Sequence, residues 1–325
     1  MSEEKMCPIS LDQFSEQHCF EVDVFIQINN SKFILFGRAG QVLDPEHLNK
    51  YRQKNIQYLF VRASDFGKLV HQAVNFAGIA INQKNMSFSA KIKALENACI
   101  SMFAEIKALG FDERSFSHAN VVTQATINLV ASYPNLASMV EKLISNSARD
   151  ERHALMVSAI AGMMGVSMGW TRSATLERLS LGGLLHDIGK LNLPDDIMAR
   201  PFESLKPDEQ TIYKSHCEFG RQTLAKLRVI PDDVRLMVFE HHECADGSGY
   251  PRGAKDLLIS PYGRVLILAN AFTEMVLGFG GTFISKNNIK KSLEIIENEQ
   301  SEKFNRDCIK ALNVVVGREW KKGAA

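Results

Sequence analysis

The sequence predicts a mainly α-helical chain with a small α/β module at its N-terminus. Apolar residues alternate with polar ones over Val22, Val24, Ile26 and Ile28, the period of a half-buried strand. From Phe66 onward the spacing switches to three and four, as in Ile92, Leu95, Cys99, Met102, Phe103, Ile106 and Leu109. Beyond about Pro134 helix signals dominate, punctuated by Gly182-Gly183, Pro194, Pro201, Pro207, Pro231 and a glycine-rich stretch from Gly247 to Gly253.

The elements follow in order. Asn29-Asn30-Ser31 reads as a tight turn, because asparagine tolerates positive φ, and Lys32 to Phe36 as the return strand. Asp44-Pro45 is an N-cap followed by a first-turn proline, opening a helix that reaches about Lys54. Gln57 to Val61 makes a third strand. Gly110 stops the long helix; a second apolar stripe through Val121, Ala125 and Leu129 is broken by Tyr133-Pro134. Both stripes suit either an intramolecular core or a connector that also makes a homodimer. The expected division is an accessory module over 1–65, a helical connector over 66–135 and an all-helical domain over 136–325.

Bulk properties exclude several classes. The 325 residues carry 38 basic and 37 acidic side chains, a net charge of +1, which argues against a DNA-binding protein. No apolar run reaches the roughly 18 residues of a membrane span; the nearest, Leu155 to Trp170, is short and rich in Gly and Ser. The opening MSEEKMCPIS is too polar for a secretory signal. Six scattered cysteines without a C-x-x-C pattern suit free thiols in a reducing compartment, so a cytoplasmic location is expected.

Five of the nine histidines lie between residues 153 and 242: His153, His186, His216, His241 and His242. Any one alone is more simply a core or surface residue. Together, with Asp187 beside His186, they form a candidate site for borderline metals. None has single-helix zinc spacing, so the site must draw on several helices. A loop begins directly after the His241-His242 doublet and runs through Gly249, Tyr250, Pro251 and Arg252. Its glycines permit close backbone approach, and its Tyr and Arg can stack on a base or pair with a phosphate.

HDIGK at 186–190, HHE at 241–243 and DGSGYPRG at 246–253, at these separations, resemble the HD-GYP branch of the HD phosphohydrolase superfamily. The likeness runs from about 140 to 318 and includes Asn192-Leu193-Pro194-Asp195, Leu205 to Glu209, Ile259-Ser260-Pro261 and Phe304-Asn305. It implies a helical bundle, a centre of two or three divalent ions, and hydrolysis of cyclic di-GMP to a linear dinucleotide or GMP. It further implies His153 as first ligand, Asp187 bridging two metals beside His186, and His216, His241 and His242 on the second metal. Lys190 matches a lysine that pairs with phosphate; Gly249, Tyr250, Pro251 and Arg252 match the substrate-binding loop. Iron or manganese is expected as the metal, and a homodimer or a signalling protein as partner.

Three positions depart from the pattern. The family's A-D-x-x-D stretch reads Ala269-Asn270-Ala271-Phe272-Thr273 here, so Asn270 offers an amide where a metal-binding carboxylate is usual. Arg149 stands where trinuclear members carry a Glu, which favours two ions over three. Gly278-Phe279-Gly280-Gly281 lacks the arginine that grips phosphate in many members. A working phosphodiesterase and a degenerate receptor or interaction scaffold therefore both remain open at this level.

Overall fold

The computed structural model describes residues 5–11, 21–29, 32–42, 45–54, 56–132, 149–278 and 286–320. The N-terminal module is a four-stranded antiparallel sheet in the order β1-β4-β2-β3, from β1 (Met6–Ser10), β2 (Val24–Asn29), β3 (Lys32–Gly37) and β4 (Tyr58–Arg62). Helix α1 (Pro45–Gln53) links β3 to β4, as the first-turn proline indicates. Strand β1 was not expected from the sequence. It pairs with β4 over its whole length, burying Cys7 and Ile9 on the alternating positions. Pro8, which cannot donate to a ladder, is tolerated because β1 is an edge strand. The expected turn at Asn30 and Ser31, the cap at Asp44 and the break at Tyr133-Pro134 lie outside the described residues.

The chain passes directly from β4 into α2 (Ala63–Asn82), followed by α3 (Phe88–Leu109) and α4 (Glu113–Ser132). Ser87 caps α3, accepting the Ala90 N–H, and Gly110 ends it at φ 88°. The expected stripe is buried: Ile92, Leu95, Cys99, Met102 and Ile106 face the core. The connector is intramolecular core rather than a free-standing stalk. Helices α2, α3 and α4 pack on one another, and α3 and α4 continue onto the C-terminal helices.

Those helices are α5 (Arg149–Ser167), α6 (Ser173–Leu185), the short α7 (Asp195–Met198), α8 (Pro207–Lys214), α9 (His216–Ala225), α10 (Asp232–Glu240), α11 (Pro261–Leu277), α12 (Lys286–Asn298) and α13 (Arg306–Trp320). Helix α5 is the axis of the bundle. Every residue from Ala154 to Gly165 is buried, because α3, α4, α6, α11 and α13 surround it. This explains the most apolar run in the sequence: a helix that is apolar on all sides is a core helix here. No described helix is long and apolar enough to cross a membrane.

Candidate metal centre

Six elements bring the site together. His153 lies one turn into α5, and Asn270 lies in the middle of α11. His186 is the C-cap residue of α6, and Asp187 precedes the 3-10 turn Ile188–Asn192. His216 follows α8 by two residues and opens α9; His241 is the C-cap residue of α10, with His242 next.

A helix leaves its last four carbonyls without intrahelical partners, and three of these histidines use them. The Nδ1–H of His186 donates to Gly183 O at 2.8 Å, that of His216 to Tyr213 O at 2.7 Å, and that of His241 to Val238 O at 2.7 Å. A carbonyl only accepts, so each Nδ1 carries the proton and each Nε2 keeps a lone pair. The three lone pairs face the same space. His216 Nε2 and His241 Nε2 are 3.1 Å apart, and His153 Nε2 is 3.1 Å from His186 Nε2.

Asp187 sits between these pairs. Its Oδ2 is 3.2 Å from His186 Nε2, and its Oδ1 is 3.5 Å from His216 Nε2 and 3.6 Å from His241 Nε2. Oδ1 is buried with no hydrogen-bond partner. An orphaned carboxylate oxygen facing two imidazole lone pairs is costly unless a cation lies between them. The donors fall into two groups sharing Asp187: His153, His186 and Asp187, and Asp187, His216, His241 and His242. This donor set fits divalent metal ions.

The electrostatics agree. Burial, followed by the field of His186, pushes His153 down to about 3. Burial likewise pushes His216 down to about 3 and lowers His241 and His242. Neutral imidazoles are the form that ligates. Burial alone would raise Asp187, but His186 and Lys190 hold its carboxyl well below the usual range. Lys190 Nζ donates to Asp187 Oδ2 at 2.6 Å, and despite burial that carboxylate keeps it firmly charged. Gly189 allows the tight turn to dock, since a Cβ there would lie 1.9 Å from His216 O.

Asn270 reaches the centre as expected, with Oδ1 2.8 Å from His153 Nε2. The stretch expected to lack an arginine, beyond Gly278, lies outside the described residues, as does the Arg149 side chain. In the glycine-rich loop, Tyr250 stacks on His242 with ring centroids 4.7 Å apart, and the Tyr250–Pro251 peptide is cis. Two residues of this loop make close contacts within the protein. Gly249 lets its own loop approach closely: a Cβ there would meet Cys244 N at 2.3 Å. Arg252, expected to face a phosphate, pairs with the buried Glu240 at 2.5 Å and lies 3.6 Å from Glu243. Glu243 also accepts the Arg252 and Ala254 N–H groups, at 2.9 and 2.8 Å.

Sequence reasoning missed Glu274, one turn beyond Asn270 on α11. It accepts the Asn270 Nδ2–H at 3.2 Å. Burial raises it to about 7, against the opposing charge of Lys190. A cavity of about 570 Å³ opens beside the centre, lined among others by His241, His242, Asn270, Glu274, Lys291 and Lys303.

The HD domain family model matches residues 126–308. The chain belongs to the HD domain family. Its motifs place it in the HD-GYP branch. A cyclic di-GMP phosphodiesterase of Thermotoga maritima is 34% identical over 129 residues, covering 38% of this chain and 34% of that protein. A cyclic di-GMP phosphodiesterase of Pseudomonas aeruginosa is 25% identical over 243 residues, covering 70% and 58%. A 3′3′-cGAMP-specific phosphodiesterase of Vibrio cholerae is 31% identical over 169 residues, covering 51% and 34%. The chain thus spans from a third to somewhat over half the length of these relatives. The fold matches an HDG“Y”P protein from Bdellovibrio bacteriovorus with a TM-score of 0.70 at 17% identity, over 96% of this chain and all of that one.

Proposed function

We propose that this HD-GYP chain hydrolyses cyclic di-GMP to a linear dinucleotide or GMP at a centre of two divalent ions, iron or manganese. The observation that carries the reading is the orphaned Asp187 Oδ1, set between imidazole lone pairs whose tautomers three helix ends have fixed. His153, His186, Asp187 and Asn270 would hold one ion, and Asp187, His216, His241 and His242 the other. Bound there, the ions supply an activated water and polarise the phosphodiester. Lys190 steadies Asp187 and offers charge to a phosphate. The stacked Tyr250 and His242 rings form one wall for a base. Lys291 and Lys303 bring positive charge to the cavity.

The relatives' names support hydrolysis over the receptor or scaffold reading, and the Vibrio relative makes the mixed cyclic dinucleotide the control substrate. The test is chromatography of cyclic di-GMP and 3′3′-cGAMP after incubation with protein loaded with Fe²⁺ or Mn²⁺. A linear product from cyclic di-GMP, lost in Asp187→Asn, is expected. Tight binding with the nucleotide recovered intact would overturn hydrolysis in favour of a receptor. A cytoplasmic location belongs to the same reading, since the described Cys7, Cys99, Cys217, Cys244 and Cys308 are free. So does a homodimer. Among the described residues of the connector, the large apolar side chains left exposed are Phe76 and Ile79 on α2, and light scattering at tens of micromolar tests that contact.

A further inference from the structure

We propose that Glu274 is a positioning residue that makes Asn270 usable as a metal ligand. The inference rests on the two-metal reading above. An asparagine in place of an aspartate creates a problem of orientation. A carboxylate presents an acceptor oxygen whichever way it turns, whereas an amide has an accepting end and a donating end. Turned the wrong way, Asn270 would direct its NH₂ group at His153 and at any cation there.

The α11 helix removes the ambiguity. Glu274 lies four residues on, where side chains share one helix face. Glu274 Oε1 accepts the Asn270 Nδ2–H at 3.2 Å, a role the carbonyl oxygen of a carboxyl group fills whether or not its other oxygen carries a proton. The amide's other end, Oδ1, is thereby left 2.8 Å from His153 Nε2. The reverse orientation would set Oδ1 against Glu274 Oε1, lose that hydrogen bond and turn the NH₂ group toward the place of the ion. Thr273, which occupies the second aspartate position of the family pattern, takes no part: its hydroxyl donates to Ala269 O at 2.7 Å within the helix.

The test is a mutant cycle read by metal content and by calorimetric titration of metal-free protein with Mn²⁺. In the natural background, Glu274→Ala is expected to weaken the ion on the His153 side by about 10–100-fold, the usual cost of removing a partner that orients a ligand. In an Asn270→Asp background the same change is expected to cost nothing, since a carboxylate needs no orienting. An equal loss in both backgrounds would reduce Glu274 to a packing role and overturn the inference. If Asn270→Ala and Glu274→Ala both leave two tightly held ions, Asn270 is no ligand and the assignment of the first site fails. If Asn270→Ala loses an ion and Glu274→Ala does not, only the positioning role fails.

Discussion

Asp187 and the imidazoles around it hold the centre through opposite solvation penalties. The carboxylate is held charged by the groups that face it, and His153 and His216 stay neutral because burial outweighs its pull. A pH dependence follows for the metal-free protein. His153 and His216 titrate near 6.5 when unfolded but at about 3 when folded. Between those values the unfolded chain binds more protons, so stability falls as pH drops below about 6.5. Melting temperatures of the chelated protein, taken stepwise from neutral pH to about 4, should decline across that window; a flat profile would mean these rings are not buried neutral. Asn270→Asp restores a negative charge beside His153 and should raise retention of the first ion and turnover by about tenfold; unchanged occupancy would remove Asn270 from the ligand set. The histidines and Asp187 that the structure gathers were legible in the sequence because motif spacing survives without knowledge of packing. Glu274 was not, since only a helix face shows that position 274 reaches position 270.

At the scale of elements, the glycine-rich loop is held by carboxylates behind it. Glu243 collects two backbone N–H groups, and Glu240 collects Arg252, the Ser260 hydroxyl and the Ser260 N–H. Both acids are almost fully buried, so their partners are costly to remove. Arg252→Ala should lower stability by about 1–3 kcal/mol, discounted because the guanidinium is partly exposed, as read from the urea midpoint. If it instead leaves the midpoint alone and raises only the substrate KM, Arg252 is a phosphate ligand after all. Gly249→Ala should be worse, since its Cβ would strike backbone rather than a movable side chain. The sequence showed the loop and its glycines but assigned them to the ligand, because a pattern gives the need for close approach and not the object approached. The edge strand β1 escaped notice for a related reason: five residues containing a proline give too short an alternation to read.

On the scale of the whole molecule, the small sheet, the connector and the bundle share one continuous apolar interior. The helical period read from Phe66 onward is that of α2, α3 and α4. Their destination was not readable, because an apolar stripe has the same appearance whether it meets a second copy or the next helix. The structure joins α3 to the helix that bears His153, with Cys99 Sγ 3.8 Å from the Glu151 carbonyl. The candidate ligands lie at five separated stations along the chain, from residue 153 to residue 270. Two ions that share Asp187 and together engage this set behave as one removable cross-link. The pair ties off four successive loops that the unfolded chain would otherwise explore, and the entropy of closing them appears only when both ions are present. Stripping the metal should therefore lower the melting temperature of the bundle even where no contact between helices changes. Restoring it at about a hundred times its Kd should return about 2.7 kcal/mol. Equal melting curves with and without chelator would show that the bundle owes nothing to this clasp.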